Sequence, residues 1–359
     1  MARLIARPGV QALAARLPVL RGIARRDGAA IFDLLQGFVA AQVLSALVEL
    51  GTLRALLDGP QDAAALAYRH GVPVHRMEQL LQAGAALGLL RRRRTGDFAL
   101  ARRGAAILGV PGLEDMIAHN RALYADLADP VAVLREDGET HLARFWPYVL
   151  GADGDVAADV AERYSDLMAN SQVLVARDTL EMVPLRGALT VMDIGGGSGV
   201  FLAEVLRRNA RARGVLMDLP EVMRVARARL ESTGLAGRVT LHGGSFRDDD
   251  LPGGADVISL VRVLYDHDDA TVAALLRKVY DALPPGGRLL VSEPMSGGVR
   301  PERAGDVYFA FYTMAMGTGR VRSAARIAEM CAAAGFGPAR IVRPRRSYIT
   351  SALSCVKPG

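Results

Sequence analysis

Two stretches of the chain bring together residue types that can do chemistry. The first, Val191–Leu206, reads VMDIGGGSGVFLAEVL. Apolar residues lead into Asp193 and Ile194, glycines follow at 195, 196, 197 and 199, and a helical pattern starts at Val200. Glycines let the backbone turn sharply and leave no side chain in a ligand's way, while the first amides of the helix face the turn. The second, Val261–Asp269, reads VRVLYDHDD and sets Tyr265 and His267 two residues apart. A histidine ordinarily titrates near neutrality and suits general base work. A tyrosine is a poor base until it ionises, but it can orient a hydroxyl.

Three ligand classes use a glycine turn of this kind. A phosphate-binding loop needs Lys and Ser or Thr after the last glycine; Val200 and Phe201 stand there, so that reading fails. The dinucleotide fingerprint wants Gly or Ala where Val200 stands, which weakens it. S-adenosylmethionine carries no phosphate and needs room for an amino-acid tail, with Asp193 placed near its ammonium. A plain strand–helix turn also stays open. The next elements narrow the choice. Asp218 and Leu219, in LMDLP, close the following strand, where an acid accepts ribose hydroxyls. Asp218 can instead cap the helix that Pro220 begins. A third strand runs into Gly243, Gly244, Ser245 and Phe246: small residues for access to a base and a ring to stack on it.

These segments need a sheet to hold them. From Leu189 onward short apolar runs alternate with helical ones, the pattern of a mostly parallel sheet covered by helices on both faces. Strands are expected at 189–194, 213–218, 239–242, 255–260 and 288–293, and ligands bind beyond their carboxyl ends. Upstream, Ile31–Leu57 is apolar nearly all round at helical spacing, from Leu34, Leu35 and Phe38 to Leu47 and Leu50. Such a helix must be buried on every side, which one small domain cannot do, so a partner subunit is expected. Residues 62–100 read as helix, turn, helix and a two-stranded wing with Thr95-Gly96-Asp97 at its tip. The fold class is therefore α/β: a Rossmann-like domain preceded by a mostly helical winged-helix domain. The expected boundaries are a basic leader at 1–30, the winged-helix domain at 31–115, connecting helices at 116–182 interrupted near Trp146-Pro147 and 151–155, and the Rossmann-like domain at 183–359.

At 359 residues, 51% of them hydrophobic, the chain can bury two cores. Its formal charge of +6 comes almost wholly from arginine and is spread thinly. Arg3, Arg7, Arg16, Arg21, Arg25 and Arg26 precede the first acid, Asp27. Interleaved with Leu4, Ile5, Leu13, Leu17, Leu20 and Ile23, they suit the surface of an anionic membrane, or form a solvated leader. The longest uncharged apolar stretch, Leu34–Val48, has 15 residues, short of the roughly 20 that span a bilayer. Cys331 and Cys355 lack metal-ligand spacing, and no metal is expected. A reducing cytoplasm, with membrane association through the leader, is the expected location.

DIGGGSG, MDLP, HGGSF, RVLYDHDD and LPPGGRLLVSEPM stand in the order and spacing of the plant-caffeate and acetylserotonin type of O-methyltransferase, and the chain resembles that family over most of its length. LYADLADPVAVL, ARFWPYV and GDVYFAFYTMAMGTGR are similar to its bacterial carotenoid branch, the hydroxyneurosporene and demethylspheroidene enzymes. The resemblance implies a homodimer, S-adenosylmethionine as cofactor, and methyl transfer to the tertiary hydroxyl of a long polyene in spheroidene or spirilloxanthin synthesis. It implies that Asp193, Gly195, Gly197, Asp218, Leu219, Gly244, Ser245, Phe246 and Arg262 bind the cofactor. The adenine-contacting acid of the plant enzymes falls on Gly244, so that contact should be missing or replaced. The usual His-Asp-Trp is Tyr265-Asp266-His267 here. Glu293 matches one acid flanking the family base, and the second falls on Val321. The catalytic candidates are thus His267, Tyr265 and Glu293. Met168 lies where plant members contribute a substrate methionine; with Phe309, Tyr312 and Met316 it is expected to line an apolar pocket, although aromatic and methionine runs at helical spacing also serve as core.

Two other functions fit less well. Methylation of a phenol or polyketide uses the same site. A cofactor-sensing winged-helix regulator would put Pro73–Leu90 into DNA, but that segment is poor in groove-reading side chains, so no nucleic-acid partner is expected.

Overall fold

The computed structural model describes residues 1–145, 158–342, 344, 346 and 348–359; the side chains of residues 11, 12, 15, 18, 19, 145 and 158–169 fall outside the description. The expected interruptions at Trp146-Pro147 and 151–155 lie outside the described residues. The chain divides into two compact units, Met1–Val110 and Pro111–Gly359.

The first unit begins with two short helices, Ala2–Ile5 and Pro8–Arg16, and continues into α1 (Pro18–Glu49). The leader is therefore helical, and its part from Pro18 onward is the start of α1. Pro8 and Pro18 explain the breaks: each stands in a first helical turn, where its missing N–H costs nothing, and forces an extended residue before it. Next come α2 (Ala63–His70), capped by Asp62, and α3 (Val74–Ala86). A hairpin of β1 (Leu90–Arg92) and β2 (Phe98–Leu100) and then α4 (Arg102–Leu108) complete the unit. Leu47, Leu53, Leu66, Met77, Leu81 and Phe98 fill its core. Met77 and Leu81 point α3 inward, and on the hairpin Arg93 pairs with Asp97 at 3.2 Å while Arg92 lies over the Phe98 ring.

The second unit carries a seven-stranded sheet in the order β5-β4-β3-β6-β7-β9-β8. Its strands are β3 (Thr190–Ile194), β4 (Arg213–Asp218), β5 (Val239–Gly243), β6 (Val257–Val261), β7 (Arg288–Glu293), β8 (Arg340–Val342) and β9 (Ser351–Val356). The first five pair in parallel, and β9 runs antiparallel to β7 and β8. Strand order reverses between β3 and β6, so their carboxyl ends open the crevice where such sheets take ligands. Helices α5 (Leu113–Asp126), α6 (Ala158–Met182), α7 (Val200–Arg208), α8 (Pro220–Ser232), α9 (Asp269–Ala282), α10 (Ala310–Ala315) and α11 (Ala324–Ala333) surround it. One core packs α6, α7 and α8 on the sheet and another packs α9 and α11. Cys331 and Cys355, distant in sequence, are buried in the second core with their thiols in contact.

The apolar face of α1 is left partly open within one chain, as the expected partner subunit requires. Its end is core, with Leu47 fully buried, but Leu34, Leu35 and Phe38 are 74, 65 and 72% exposed within one chain. By length and composition Leu20–Glu49 could cross a membrane. Asp33 and Glu49 limit its uncharged run to 15 residues, so cover by a second copy is the better fit. Each covered side chain would contribute about 1.5–3 kcal/mol. Replacing Leu34 and Phe38 together by Asp should convert dimer to monomer by light scattering on a sizing column while leaving the core of the unit folded.

Candidate active site

The glycine loop hangs from the end of β3. Gly195, Gly197 and Gly199 take left-handed backbone, with Gly197 at φ +55° and nothing within 4 Å of where its Cβ would stand. Asp218, at the end of β4, ties the loop down. Its Oδ2 accepts the Gly197 N–H at 2.7 Å and its Oδ1 the Leu219 N–H at 2.8 Å. Asp218 makes no helix-cap bond; each oxygen keeps a lone pair for a ligand hydroxyl. Burial raises its pKa, and the two N–H donors oppose that rise. Asp193 sits beneath the loop, 1% exposed, its Oδ1 accepting Ser259 Oγ–H at 2.6 Å. It supports the turn from below instead of facing open space, and burial pushes its pKa up to about 7.

Beyond β5, the sequence places no acid at Gly244. The structure supplies one from five residues on: Asp249 Oδ2 accepts the Ser245 N–H at 2.8 Å and lies 2.8 Å from the Cβ position of Gly244. Lys278 Nζ from α9 donates to the carbonyls of Phe246, Arg247 and Asp249, fixing this loop. An open glycine turn, a carboxylate with spare lone pairs, and a second carboxylate beside Ser245 and Phe246 fit a nucleoside with an amino-acid tail.

At the end of β6, Arg262 takes φ +60°, a conformation rare outside glycine and costly enough that surrounding contacts must hold it. Its guanidinium donates to Tyr265 Oη at 3.3 and 3.4 Å and to Ser171 Oγ on α6 at 3.0 Å. Tyr265 is 2% exposed, and burial raises its pKa, so its phenolate is unavailable near neutrality. Glu293 Oε2 accepts the Tyr265 backbone N–H at 3.1 Å. Its Oε1 and Asp266 Oδ1 have no hydrogen-bond partner among the described residues. Burial lifts Glu293 to about 8 and Asp266 to about 7. Glu293 is thus a neutral acid that holds the loop.

His267 departs from its expected titration. Its ring packs edge-on against Phe246 at 5.3 Å and its Nδ1 meets Arg247 at 3.0 Å, on the nucleoside side. Burial and the Arg247 charge push its pKa down to about 4. Asp268, not His267, caps α9. Arg322, 3% exposed, donates to the carbonyls of Leu264 and His267 and to Asp269, and so fixes the whole 264–267 turn.

The aromatic segment begins with a π-helical turn, Ala304–Phe309, before α10. Gly305 is required there, because a Cβ would lie 2.1 Å from the Met295 carbonyl oxygen. Tyr312 is buried and stacks on Tyr308, whose ring meets Phe309 edge-on. Tyr308 Oη donates to Asn120 at 2.7 Å, and Tyr312 Oη meets His119 Nε2 at 2.9 Å. Met316 packs with Val133, Leu123 and Leu142, as a core residue does, and also borders a groove of about 890 Å3 whose other rim bears Asp129 and Asp137. The side chain of Met168 lies outside the described residues. His119, Asp249, Lys278 and Arg322 were not read as functional. Asp249 meets Ser245 four residues away, whereas His119, Lys278 and Arg322 meet their partners across long sequence separations.

Three buried carboxyls, on Asp193, Asp266 and Glu293, hold protons in the folded chain that an unfolded chain has released above about pH 4–4.5. Because their folded values are raised, stability falls as pH rises from there toward about 8. Each contributes up to about 1.4 kcal/mol per pH unit within its own window. Glu293→Gln should flatten part of the fall between pH 5 and 8 in denaturant unfolding.

Comparison with known proteins accounts for this assembly. The O-methyltransferase domain model matches residues 124–337 and the O-methyltransferase dimerisation domain model matches 32–107. The chain is 56% identical to the demethylspheroidene O-methyltransferase of Cereibacter sphaeroides, over 97% of this chain and 92% of that one. It is 51% identical to that of Rhodobacter capsulatus, over 94% and 84%. The fold is shared with human N-acetylserotonin methyltransferase, solved with S-adenosylmethionine, at a TM-score of 0.78 and 23% identity over 93% and 98% of the two chains. This chain belongs to the S-adenosylmethionine-dependent O-methyltransferase family, with its dimerisation domain at the N-terminus.

Proposed function

We propose that the protein methylates a hydroxyl of a carotenoid of the demethylspheroidene or 1-hydroxyneurosporene type. The observation that carries this reading is near-full-length similarity to two enzymes bearing the demethylspheroidene name. The site supports it: the acceptor side has buried tyrosines and methionine, and the usual histidine base is replaced by a phenol tied to Arg262.

In this reading Gly195, Gly197, Asp218 and Leu219 hold the amino-acid and ribose parts of the cofactor. Gly244, Ser245 and Phe246 hold the adenine, with Asp249 replacing the acid missing at 244. Asp193 keeps the turn in shape, and Arg262 spans from this wall to Tyr265. When bound, the cofactor supplies a methyl group already activated by a sulfonium charge. The protein's task is then to hold an alcohol oxygen in line and exclude water, and positioning of this kind can lower a barrier by several kcal/mol. Tyr265 orients the acceptor as a neutral phenol, Glu293 holds the Tyr265 backbone, and His267 belongs to the adenine wall. Phe309, Tyr312, Met316 and Met168 are assigned to the acceptor side.

With labelled S-adenosylmethionine, the purified enzyme should label 1-hydroxycarotenoids. Incorporation into phenols alone would overturn the assignment.

A polyene acceptor dissolves in lipid, and the leader suits work at the cytoplasmic face of a membrane. Its arginines and Leu4, Ile5, Leu13, Leu17, Leu20 and Ile23 are exposed, with no acid before Asp27. Removing residues 1–16 should abolish salt-sensitive sedimentation with anionic vesicles and leave turnover of detergent-dispersed substrate intact. Unchanged sedimentation would remove the membrane role.

A further inference from the structure

The transfer leaves one proton to be placed. Tyr265 is a buried neutral phenol that already accepts from Arg262, Glu293 is a neutral acid, and His267 faces Phe246 and Arg247. A fourth group faces the same cluster from α5. His119 Nε2 lies 2.9 Å from Tyr312 Oη, and the neighbouring Asn120 accepts from Tyr308, on which Tyr312 stacks. Two adjacent residues of one helix therefore fix two stacked phenols, one on the π-helical turn and one on α10. Buried Tyr312 is coupled electrostatically to both Tyr265 and Arg262, which sets the pair on the side of the 262–265 turn.

We propose that Tyr312 and His119 form the proton path of the methyl transfer, with the acceptor alcohol donating to Tyr312 and His119 acting through it. The alcohol oxygen forms its bond to the methyl carbon as the carbon–sulfur bond breaks, that electron pair remaining on sulfur. The alcohol proton passes to Tyr312 Oη as the Tyr312 proton passes to His119 Nε2, and the resulting imidazolium releases it to water. Tyr312 is the group that touches substrate; His119 positions its hydroxyl and receives the proton.

A weak base is sufficient here. An alcohol oxygen gains positive charge as the new bond forms, and its proton becomes far more acidic than an imidazolium's. Burial and the Arg262 charge lower His119 to about 4, so the imidazole is neutral and ready to accept at working pH. Among the described residues, the groups facing it from packed elements include Tyr312 on α10 and Arg262 at the end of β6, with Tyr308 stacked behind Tyr312 and Tyr265 on Arg262.

The inference rests on an aliphatic alcohol acceptor, and its test separates the two. His119→Gln keeps a hydrogen-bond acceptor for Tyr312 but cannot take the proton. Its kcat should fall about 10²-fold, with S-adenosylmethionine binding by calorimetry unchanged and the acid limb of the wild-type rate profile, near pH 4, removed. Imidazole should restore part of the rate to His119→Ala. In the cofactor-free protein, nitrogen NMR should show His119 titrating far below its ordinary value, with the titration shifted by Tyr312→Phe. A His119→Gln kcat within twofold of wild type, or an unmoved acid limb, overturns the proton path. Wild type that methylates only phenols refutes the acceptor class; the titration then decides, and a His119 with ordinary titration, indifferent to Tyr312→Phe, overturns the path.

Discussion

The site depends on where the Arg262 guanidinium goes. An arginine is charged at every working pH and presents several donors in one plane, so a partly buried one needs acceptors on several sides. Here they come from the 262–265 turn and from α6, as Tyr265 Oη and Ser171 Oγ. Reaching both requires the left-handed backbone at 262, which turns the chain at the strand end and starts the 264–266 turn. Arg322 secures the other end of that turn through the Leu264 and His267 carbonyls. Two arginines, one at each end, thus fix a segment whose side chains are mostly buried. Glu293 completes the frame through the Tyr265 N–H, and it does so as an acid kept neutral by burial.

This arrangement explains why the sequence announced the cofactor wall and not the proton chemistry. The wall is local. Asp193, the glycines, Asp218 and the Gly243–Phe246 run each stand at the end of a strand, and one short apolar run with its turn residues reveals both strand and end. The five parallel strands were legible to within two residues for that reason. The antiparallel pair β8 and β9 was missed: Ser351, Thr350 and Ser354 dilute the apolar alternation, and the arginines around Pro344 read as loop. The proton chemistry is non-local. His119 and Tyr312 are separated by 193 residues and joined by packing of α5 on α10. His267 carried the stronger sequence signal because its type suited a base, although Tyr265 stands at the usual base position, yet Arg247 and burial change its titration. Titration belongs to the environment, which sequence spacing does not encode.

The same distinction bears on the first unit. The α1 pattern correctly indicated that more apolar surface exists than one chain can bury, since Leu34, Leu35 and Phe38 remain open while Leu47 is core. That surplus pointed to cover by a partner subunit, and the open face lies where such cover would be. In the leader, Pro8 and Pro18 start helices instead of ending them, a signal its charge did not carry.

Loss of the family histidine at 265 then follows from acceptor chemistry. A strong base beside Arg262 would face a nearby cation whenever it took a proton, a cost worth bearing only if deprotonation must precede attack. An aliphatic alcohol attacks as the neutral molecule and becomes acidic only as its new bond forms, so an early base gains nothing. A tyrosine pays no such cost. It accepts from the guanidinium without becoming charged, keeps its own proton to donate, and fills the buried position with an apolar ring. The substitution that first looked like a missing catalytic part is, on this reasoning, the adjustment a poorly acidic acceptor calls for. The demand on the site shifts from taking a proton early to holding the oxygen in line and draining the proton late.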